Sequence, residues 1–522
     1  MRSILPAMPL VAIALASALV ACGPSTNAGD NSDCPDKNLS NDLMNCGACG
    51  HACGVGEVCI NGDCDGTCDP GETLECYDGH PSTEDVGPCR GGMRMCLPSG
   101  QWSECLGQIV PSLEVCGNGI DENCSGQADE NVDQDGDGFT TCDGDCCDSF
   151  ECAQPGLVNP GAFDAAGNGL DDDCDGMVDN TTAVCDMGLV SGSPNAADYA
   201  KAMEICQTAT EVSRRWGLID ARFSLTNGMG TPAVEARSIR PIFGTGLMPL
   251  AGTSFTLLSS GNAASPGQTN PSHVDFTTSA EHDLSAPFPA DWLQAQSPPG
   301  QLPNAMGCPA INGGTAAEDP VMLTLRIRAP SNARSFSFSS NFYSAEYPEW
   351  VCSPYNDFFV VLLDSTWAGN PANPADKNLA FYRNPAGVIY PVGVNLAHGN
   401  TGLFTQCVNG RTGCLGTPGT ISTCQSTSQL AGTGFDRSAV GSCDSNSLQG
   451  GGTGWLTTSG NVQGGEIITL RIAIWDTSDQ RLDSLVVLDN FQWSVDTSDP
   501  GTVIGKPART AGAGGLTSNV SH

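Results

Sequence analysis

Cysteine is the feature of this sequence that most restricts how the chain can fold. Of the 27 cysteines in 522 residues, 20 lie before residue 186. Disulfides are rare in a reducing cytosol and common in exported proteins, so this content predicts an oxidised, exported chain. Glycine-rich intervals with few apolar residues separate the cysteines of residues 34–115, which we expect to be held together by disulfides. A zinc site formed by Cys46, Cys49 and Cys53, with His51 as a spare ligand, is the alternative.

The N-terminal leader resembles that of a bacterial lipoprotein. Arg2 precedes an apolar, proline-interrupted stretch that is too short for a membrane span, so residues 1–21 are predicted to be a secretory signal peptide. Leu19-Val20-Ala21-Cys22 resembles a lipobox, which implies cleavage before Cys22 and acylation of its thiol, with palmitate as a typical acyl group. Residues 22–33 would then be a lipidated flexible tether. An ordinary signal peptide with Cys22 in a disulfide is the alternative.

A run of closely spaced cysteines, Asn45-Cys46-Gly47 through Cys64, resembles the cysteine-rich repeats of myxobacterial surface lipoproteins. Together with the lipobox, this resemblance implies an exported protein that is anchored by lipid to a bacterial membrane, at the outer membrane or cell surface. The membrane would then be one partner of the protein.

The charge of the chain is concentrated in its first part. The net charge is −37, and residues 1–185 hold 32 acidic residues against 4 basic ones. Nucleic acids are excluded as partners, because their binding depends on lysine and arginine at the phosphates. Cations are the expected partners instead.

An acidic sequence repeat lies in residues 116–185. Residues 117–130 match residues 167–180, and the segment 133–138 between them reads Asp-Gln-Asp-Gly-Asp-Gly. Carboxylates on alternate residues of a glycine-rich turn can converge on one cation, as in the first half of an EF-hand loop. The twelfth position of that loop would be Gly144 and not glutamate, so closure would have to come from Asp143, Asp145 or Asp148.

The whole acidic segment resembles the putative metal-binding motif family, which is named for a bacterial copper-binding surface protein. Cys147 stands where this family usually has aspartate, and Ala166 stands where a cysteine is frequent. We expect calcium, because many flexible oxygen ligands suit it. Copper is the alternative, although no histidine lies between His80 and His273. The resemblance implies two ligand groups, which are Asp133, Asp135, Asp137, Asp143, Asp145 and Asp148, and Asp171, Asp173, Asp175 and Asp179.

The C-terminal part is predicted to be mainly β. One helix is expected over residues 198–218, from apolar residues at helical spacing. The runs after residue 220 alternate with Gly/Ser/Asn/Pro turns and predict an antiparallel, jelly-roll-like β-sandwich over residues 190–498, followed by a disordered tail over 499–522. The strongest predicted strands are 321–327, 335–342, 358–363, 467–475 and 485–493.

Two aromatic and acidic runs in this region, Ser344-Ala345-Glu346-Tyr347-Pro348-Glu349 and Tyr355-Asn356-Asp357-Phe358-Phe359, resemble the choice-of-anchor L domain of secreted bacterial proteins. That resemblance implies a β domain displayed on a surface anchor. A second calcium or glycan site could use Glu346, Asn356, Asp357 and Asp489; the alternative is that these residues only form turns and hydrogen bonds beside strands.

No nucleophile elbow, zinc-protease helix, P-loop or dinucleotide fingerprint occurs in the sequence. We therefore expect a non-catalytic surface protein for adhesion, with a glycan or protein ligand on the cell surface or matrix. A surface-displayed glycan hydrolase using Glu346 or Glu349 with Asp357 is one alternative, and an extracellular copper-binding protein is another.

The parity of the cysteines makes a further prediction. With Cys22 assigned to lipid, 19 cysteines remain in residues 34–185 and 7 in residues 206–443, and both counts are odd. One disulfide between the two regions would resolve this, and Cys185 with Cys206 is the nearest pair. A free thiol in each region is the alternative.

Overall fold

The chain divides into two compact units, residues 1–131 and 132–522. The boundary precedes the acidic loop at Asp133, whereas the cysteine and charge content change near residue 185. The predicted signal peptide, Cys22 with its tether, and residues 506–522 of the predicted tail lie outside the described residues. The computed structural model describes residues 46–47, 51–53, 58–60, 62–65, 68–112, 114–129, 133–148, 152, 154–180, 184–277, 282–311, 316–398, 401–415, 421–438, 443 and 448–505.

The first unit is built on short hairpins joined by disulfides. Its strands are β1 (Val58–Ile60), β2 (Asp63–Asp65), β3 (Thr73–Cys76) and β4 (Gly92–Met95), with a 3₁₀ helix at Pro81–Thr83. β1 pairs with β2 and β3 with β4, both antiparallel. The disulfides described here are Cys46–Cys59, Cys53–Cys64, Cys68–Cys96, Cys76–Cys105 and Cys89–Cys124. The alternative zinc site is therefore wrong for Cys46 and Cys53, and Cys49 lies outside the described residues.

The second unit contains the remaining helices and strands. Its α-helices are α1 (Ala196–Lys201) and α2 (Ala290–Gln294), and its 3₁₀ helices are Thr141–Asp143, Val234–Ala236 and Val394–Ala397. Its strands are β5 (Gly217–Ser224), β6 (Arg237–Arg240), β7 (Phe255–Ser259), β8 (Ser285–Ala286), β9 (Ala317–Arg328), β10 (Ser335–Ser344), β11 (Phe358–Asp364), β12 (Phe381–Arg383), β13 (Ile389–Pro391), β14 (Gly410–Arg411), β15 (Ile421–Ser422), β16 (Arg437–Ser438), β17 (Leu448–Gln449), β18 (Gly451–Gly452), β19 (Leu456–Asn461), β20 (Ile467–Thr477), β21 (Ser484–Ser494) and β22 (Gly501–Ile504).

Two antiparallel sheets form the β-sandwich. In the described residues, one sheet has the strand order β22-β19-β10-β21-β7-β6, with β18 also paired to β10. The other has the order β11-β20-β9-β5, with β8 paired to β9. Apolar side chains from both sheets, such as Leu323 and Leu325 of β9 and Phe336 and Phe338 of β10, share one buried core. This confirms the mainly β fold class, and the five strands predicted from sequence lie within β9, β10, β11, β20 and β21.

The predicted helix over residues 198–218 is wrong in its extent. Only α1, Ala196–Lys201, is helical, and β5 begins inside the predicted span. Glu204 has φ +72°, which a continuing helix does not allow, and Cys206 is bonded to Cys185. Val212, counted as part of the apolar helix face, is 92% exposed. The apolar spacing was therefore not the face of a long helix.

Part of the predicted disordered tail is ordered. Gly501–Ile504 form β22, an edge strand that pairs antiparallel with β19. The sandwich therefore extends beyond residue 498. Phe381 packs over Gly501, which has φ +131° and leaves no room for a side chain.

The disulfide suggested by the cysteine count is present, but both of its cysteines lie within the second compact unit, so it does not cross between the two units. Cys185 and Cys206 are bonded, with a Cα–Cα distance of 5.5 Å, and the bond joins the end of the acidic segment to the chain that leads into β5. The other described disulfides of the unit are Cys146–Cys174, Cys308–Cys352, Cys407–Cys424 and Cys414–Cys443.

Candidate metal centre

The two copies of the acidic repeat adopt the same backbone conformation. In each, an aspartate accepts a hydrogen bond from the glycine five residues later: Gly126 N–H donates to Asp121 Oδ2 and Gly176 N–H to Asp171 Oδ2, both at 2.9 Å. Positive φ angles occur at matching positions, namely Gly117 and Gly167, Gly119 and Gly169, Cys124 and Cys174, Gly126 and Gly176, and Asp129 and Asp179. The repeat is therefore a repeated loop and not only a repeated composition.

The copies differ in the side chains that this loop presents. In the second copy, the carboxylates of Asp171, Asp173 and Asp175 bring one oxygen each within 4.8 Å of one another. Asn123 and Ser125 replace two of these aspartates in the first copy. Asp179 does not join the cluster, because its Oδ1 accepts hydrogen bonds from Gly167 N–H (2.6 Å) and Gly169 N–H (3.2 Å).

The loop between the copies gathers five carboxylates. Asp133 shapes the turn by accepting hydrogen bonds from Gly136 N–H (2.7 Å) and Gly138 N–H (2.9 Å). Two overlapping clusters, each with ligand oxygens within 4.8 Å of one another, share Asp135: they are Asp133, Asp135 and Asp148, and Asp135, Asp137 and Asp145.

The carboxylates that could close this loop around a cation are Asp145 and Asp148. Asp145 is 2% exposed and Asp148 is 1% exposed. Asp145 Oδ1 accepts a hydrogen bond from Cys147 N–H (2.8 Å), but Oδ2 is buried without any hydrogen-bond donor. Asp143, which the sequence offered as a third choice, instead interacts with Thr140 and with Arg214, whose Nη1 lies 3.7 Å from Asp143 Oδ2.

Burial and mutual repulsion raise the pKa of several carboxyls in these clusters. Loss of hydration, followed by the negative charge of Asp137 and Asp135, raises the pKa of Asp145 to about 7. Loss of hydration and the charge of Asp175 raise the pKa of Asp173 to about 6. Without a cation, these groups resist ionisation, so the clusters have the electrostatic character of cation sites.

Cys147 stands where the metal-binding motif usually has aspartate, and its thiol does not belong to either carboxylate cluster. Its thiol is buried and contacts the thiol of Cys152, and burial raises its pKa to about 12. The contribution of Cys147 is its amide N–H, which donates to Asp145.

Asn159 connects the central loop to the sandwich, and the sequence pattern gave no signal for this role. Its Nδ2 donates to Asp137 Oδ2 (2.6 Å), and its Oδ1 accepts a hydrogen bond from Ser331 Oγ (2.7 Å). Nearby, Phe163 N–H donates to Asn332 Oδ1 (3.0 Å) and Ser331 N–H to Gly161 O (2.9 Å). Within the second unit, the candidate metal loop is therefore packed on the ends of sandwich strands.

The second predicted site is only partly brought together. Glu346 and Asp357 are neighbours inside the sandwich. Asn356 accepts a hydrogen bond from Asn395 N–H (2.8 Å), and Asp489 accepts one from Leu250 N–H. For Asn356 and Asp489, the structural role in turns and hydrogen bonds is the one observed.

The protein is therefore modular: it combines an antiparallel β-sandwich with Asp/Gly loops. Among the described residues, these loops cluster carboxylates without a neighbouring positive charge at their centre, and they form a candidate cation-binding segment. Residues 307–492 match the family described as the Choice-of-anchor L domain. Residues 112–130 and 156–180 match the family described as the Putative metal-binding motif. The first match indicates a surface-associated protein, and the second indicates metal binding. No curated protein and no solved structure matches the chain. No helix in the described ranges is long and apolar enough to cross a membrane.

Proposed function

We propose that this chain is a calcium-binding lipoprotein that is anchored at the cell surface through Cys22 and presents its β-sandwich for adhesion. The calcium sites are the central loop around Asp135 and the second repeat copy around Asp173. The lipid anchor is supported by the lipobox-like sequence, and the surface location by the choice-of-anchor domain.

The observation that supports cation binding best is the environment of Asp145. Its carboxylate is almost fully buried, one oxygen has no hydrogen-bond donor, and two further carboxylates lie within 4.8 Å. A buried, unpaired charge of this kind costs several kcal/mol unless an opposite charge compensates it. A bound divalent cation supplies that charge.

Calcium is the proposed ion because the ligands are carboxylate oxygens. Calcium accepts six to eight oxygens in flexible geometry, whereas copper favours imidazole and soft sulfur ligands. The clusters of Asp133 to Asp148 and of Asp171 to Asp175 contain oxygen ligands alone. Extracellular copper capture would require copper to bind tightly and to resist displacement by calcium.

Thermal unfolding of the purified full chain in chelator and in millimolar calcium tests the proposal. At a hundredfold excess over its dissociation constant, one bound ion stabilises the folded state by about 2.7 kcal/mol. We expect Asp145→Asn to reduce the calcium-dependent rise in Tm. Asp143→Asn is the matched control, because Asp143 interacts with Thr140 and Arg214. Equal melting curves in chelator and calcium would contradict the proposal, as would equal effects of the two variants.

The anchor and the adhesive role need separate measurements. Cys22→Ser should move the protein from the membrane fraction to the medium. Adhesion predicts glycan or matrix binding without turnover, measured on glycan arrays and with chromogenic glycosides. The burial of Glu346 and Asp357, at 3% and 1% exposed, supports a non-catalytic role, because a hydrolase needs both carboxyls in contact with substrate. Turnover that Glu346→Gln abolishes would favour the hydrolase instead.

A further inference from the structure

A second group of carboxylates lies inside one end of the sandwich, apart from the Asp/Gly loops. Glu346 follows β10, Asp357 precedes β11, and Asp476 lies near the end of β20. Phe358 and Trp475 are the end pair of β11 and β20, and the residues next to this pair, Asp357 and Asp476, have their carboxyls in contact. Glu346 lies close enough for its charge to act on Asp357.

These carboxylates are buried and poorly supplied with hydrogen-bond donors. Glu346 is 3% exposed, and Asp357 and Asp476 are each 1% exposed. Glu346 Oε2 is buried without a hydrogen-bond donor, and the carboxyl of Asp476 has no hydrogen bond of standard geometry although it contacts Asp357 and Ser260. Asp357 Oδ2 accepts one from Ser484 Oγ at 2.6 Å. In the described part of the chain, no ion pair joins any of the three to a basic side chain.

The loop between β20 and β21 adds further negative charge to the same place. Asp479 acts on both Glu346 and Asp357, and Asp483 acts on Asp476. Asp483 is 2% exposed and packs so closely on Gly261 that any side chain at position 261 would collide with it. The imidazole of His282 contacts the carbonyl oxygen of Gly261 at 3.2 Å.

Like charges opposite one another in neighbouring strands are destabilising, and burial increases the effect. The pKa of Glu346 and of Asp476 lies well above its ordinary value, mainly because of burial and then because of Asp357. Two arrangements can relieve the repulsion: the carboxyls keep protons, or a cation lies among them. The bare Oε2 of Glu346 favours the cation, because a proton shared between Asp357 and Asp476 would leave this oxygen unsatisfied.

We propose that Glu346, Asp357 and Asp476 bind one calcium ion inside the sandwich, with Asp483 beside them. Glu346 and Asp483 adjoin β10 and β21 of one sheet, whereas Asp357 and Asp476 adjoin β11 and β20 of the other. The ion therefore clamps the two sheets together at this end. It is a hard cation with oxygen ligands, and it is independent of the ions in the Asp/Gly loops.

Equilibrium dialysis of the full chain against radioactive calcium tests the clamp. A background variant with Asp145→Asn and Asp173→Asn weakens the loop sites, and we expect it to retain one ion that belongs to the sandwich. Adding Asp357→Asn and Asp476→Asn should remove that ion and the remaining rise of Tm in calcium. If only the loop sites fail to bind calcium, the background variant should bind as many ions as the unaltered protein, and Asp357→Asn with Asp476→Asn should still remove one. The two proposals are therefore tested separately.

Asp364→Asn is the matched control, because Asp364 lies at the other end of β11 and interacts with Lys377 and Arg471. It should leave the ion count unchanged. If the double variant does not fold, Glu346→Gln alone and the calcium-dependent melting of the background variant still decide the question. An unchanged ion count in a folded Asp357→Asn and Asp476→Asn protein would overturn the proposal. A Tm of the background variant that is the same with and without calcium would also overturn it.

Discussion

The buried carboxylates of this protein are of two kinds, distinguished by what their oxygens accept. Asp489 and Asp319 accept backbone N–H groups, from Asn490 and Leu250 and from His282 and Leu284. Asp145 and Asp476 each have at least one buried oxygen that receives no hydrogen bond of standard geometry. Carboxylates that accept backbone N–H groups hold loops in place, whereas carboxylates with a buried oxygen that lacks a donor are suited to binding cations. Composition does not separate the two kinds, because all four residues are aspartates.

Asp489 provides a pH-dependent test of the first kind. Burial raises its pKa to about 7 in the folded chain, against 3.8 when exposed. The folded state then binds more protons than the unfolded state between these values, so stability falls as pH rises from about 4 to 7, by at most roughly 4 kcal/mol. In urea unfolding with excess calcium, Asp489→Asn should lose this slope.

The same variant should also lower stability at acidic pH. Asparagine offers one acceptor oxygen where Asp489 offers two, so at pH 5 we expect a loss of about 1–3 kcal/mol. The difference from the unaltered protein should shrink or reverse by pH 8. Parallel stability profiles for the two proteins between pH 5 and 8 would contradict the assigned pKa.

At the scale of elements, the sequence predicted the strands well and the helix poorly. β9, β10, β11, β20 and β21 are long apolar runs buried between two sheets, so local pattern and tertiary packing agree. The segment after α1 had helical spacing but contains the β-branched Thr208, Thr210 and Val212. A bridge between Thr208 and Leu218 and the bond at Cys206 hold it in an irregular path. Such distant contacts are not encoded in local spacing.

The two candidate cation sites differ in how far apart their carboxylates lie in the sequence. The Asp/Gly loops place their candidate ligands two residues apart, so the sequence could predict most of these clustered carboxylates, including Asp133, Asp135 and Asp137. Asp357 and Asp476 meet only through the pairing of β11 with β20. For that reason the sequence pointed to Glu346 and Asp357 but did not select Asp476 as their partner.

The matching backbones of the two repeat copies allow a gain-of-function test. Because both loops have positive φ at the same positions, changing ligands should not require a new backbone. Asn123→Asp with Ser125→Asp in the first copy should add one bound calcium ion per chain, counted by equilibrium dialysis. The reverse exchange in the second copy, Asp173→Asn with Asp175→Ser, should remove one. An unchanged count in both variants would show that the aspartates do not determine binding.

At the scale of the whole molecule, the two units depend on different sources of stability. The described residues of the first unit share a small apolar cluster, Tyr77, Cys89 and Cys124 with Val86, and are joined by many disulfides. The second unit has an extensive core shared by both sheets. Removing a disulfide from a small domain typically costs about 2–5 kcal/mol of folding stability. A domain with a large buried core depends less on any one disulfide.

Mild reduction should therefore unfold the first unit before the sandwich. In hydrogen exchange with excess calcium and a thiol reductant, peptides from residues 68–112 should lose protection while those of β9, β10, β20 and β21 keep it. An alkylated but unreduced sample is the control. Simultaneous loss of protection in both units would show that disulfides contribute equally to the two.

The Cys185–Cys206 bond also determines how the second unit would carry mechanical load. Tension from the N-terminal side first loads the hydrogen bonds of Asn159 and Phe163 to Ser331 and Asn332. Beyond them it reaches Cys185 and crosses directly to Cys206, so the intervening segment with α1 is bypassed. The pull then enters the sandwich through β5, which is paired along its length with β9. The disulfide therefore keeps the applied force off α1, and the pairing of β5 with β9 has to bear it.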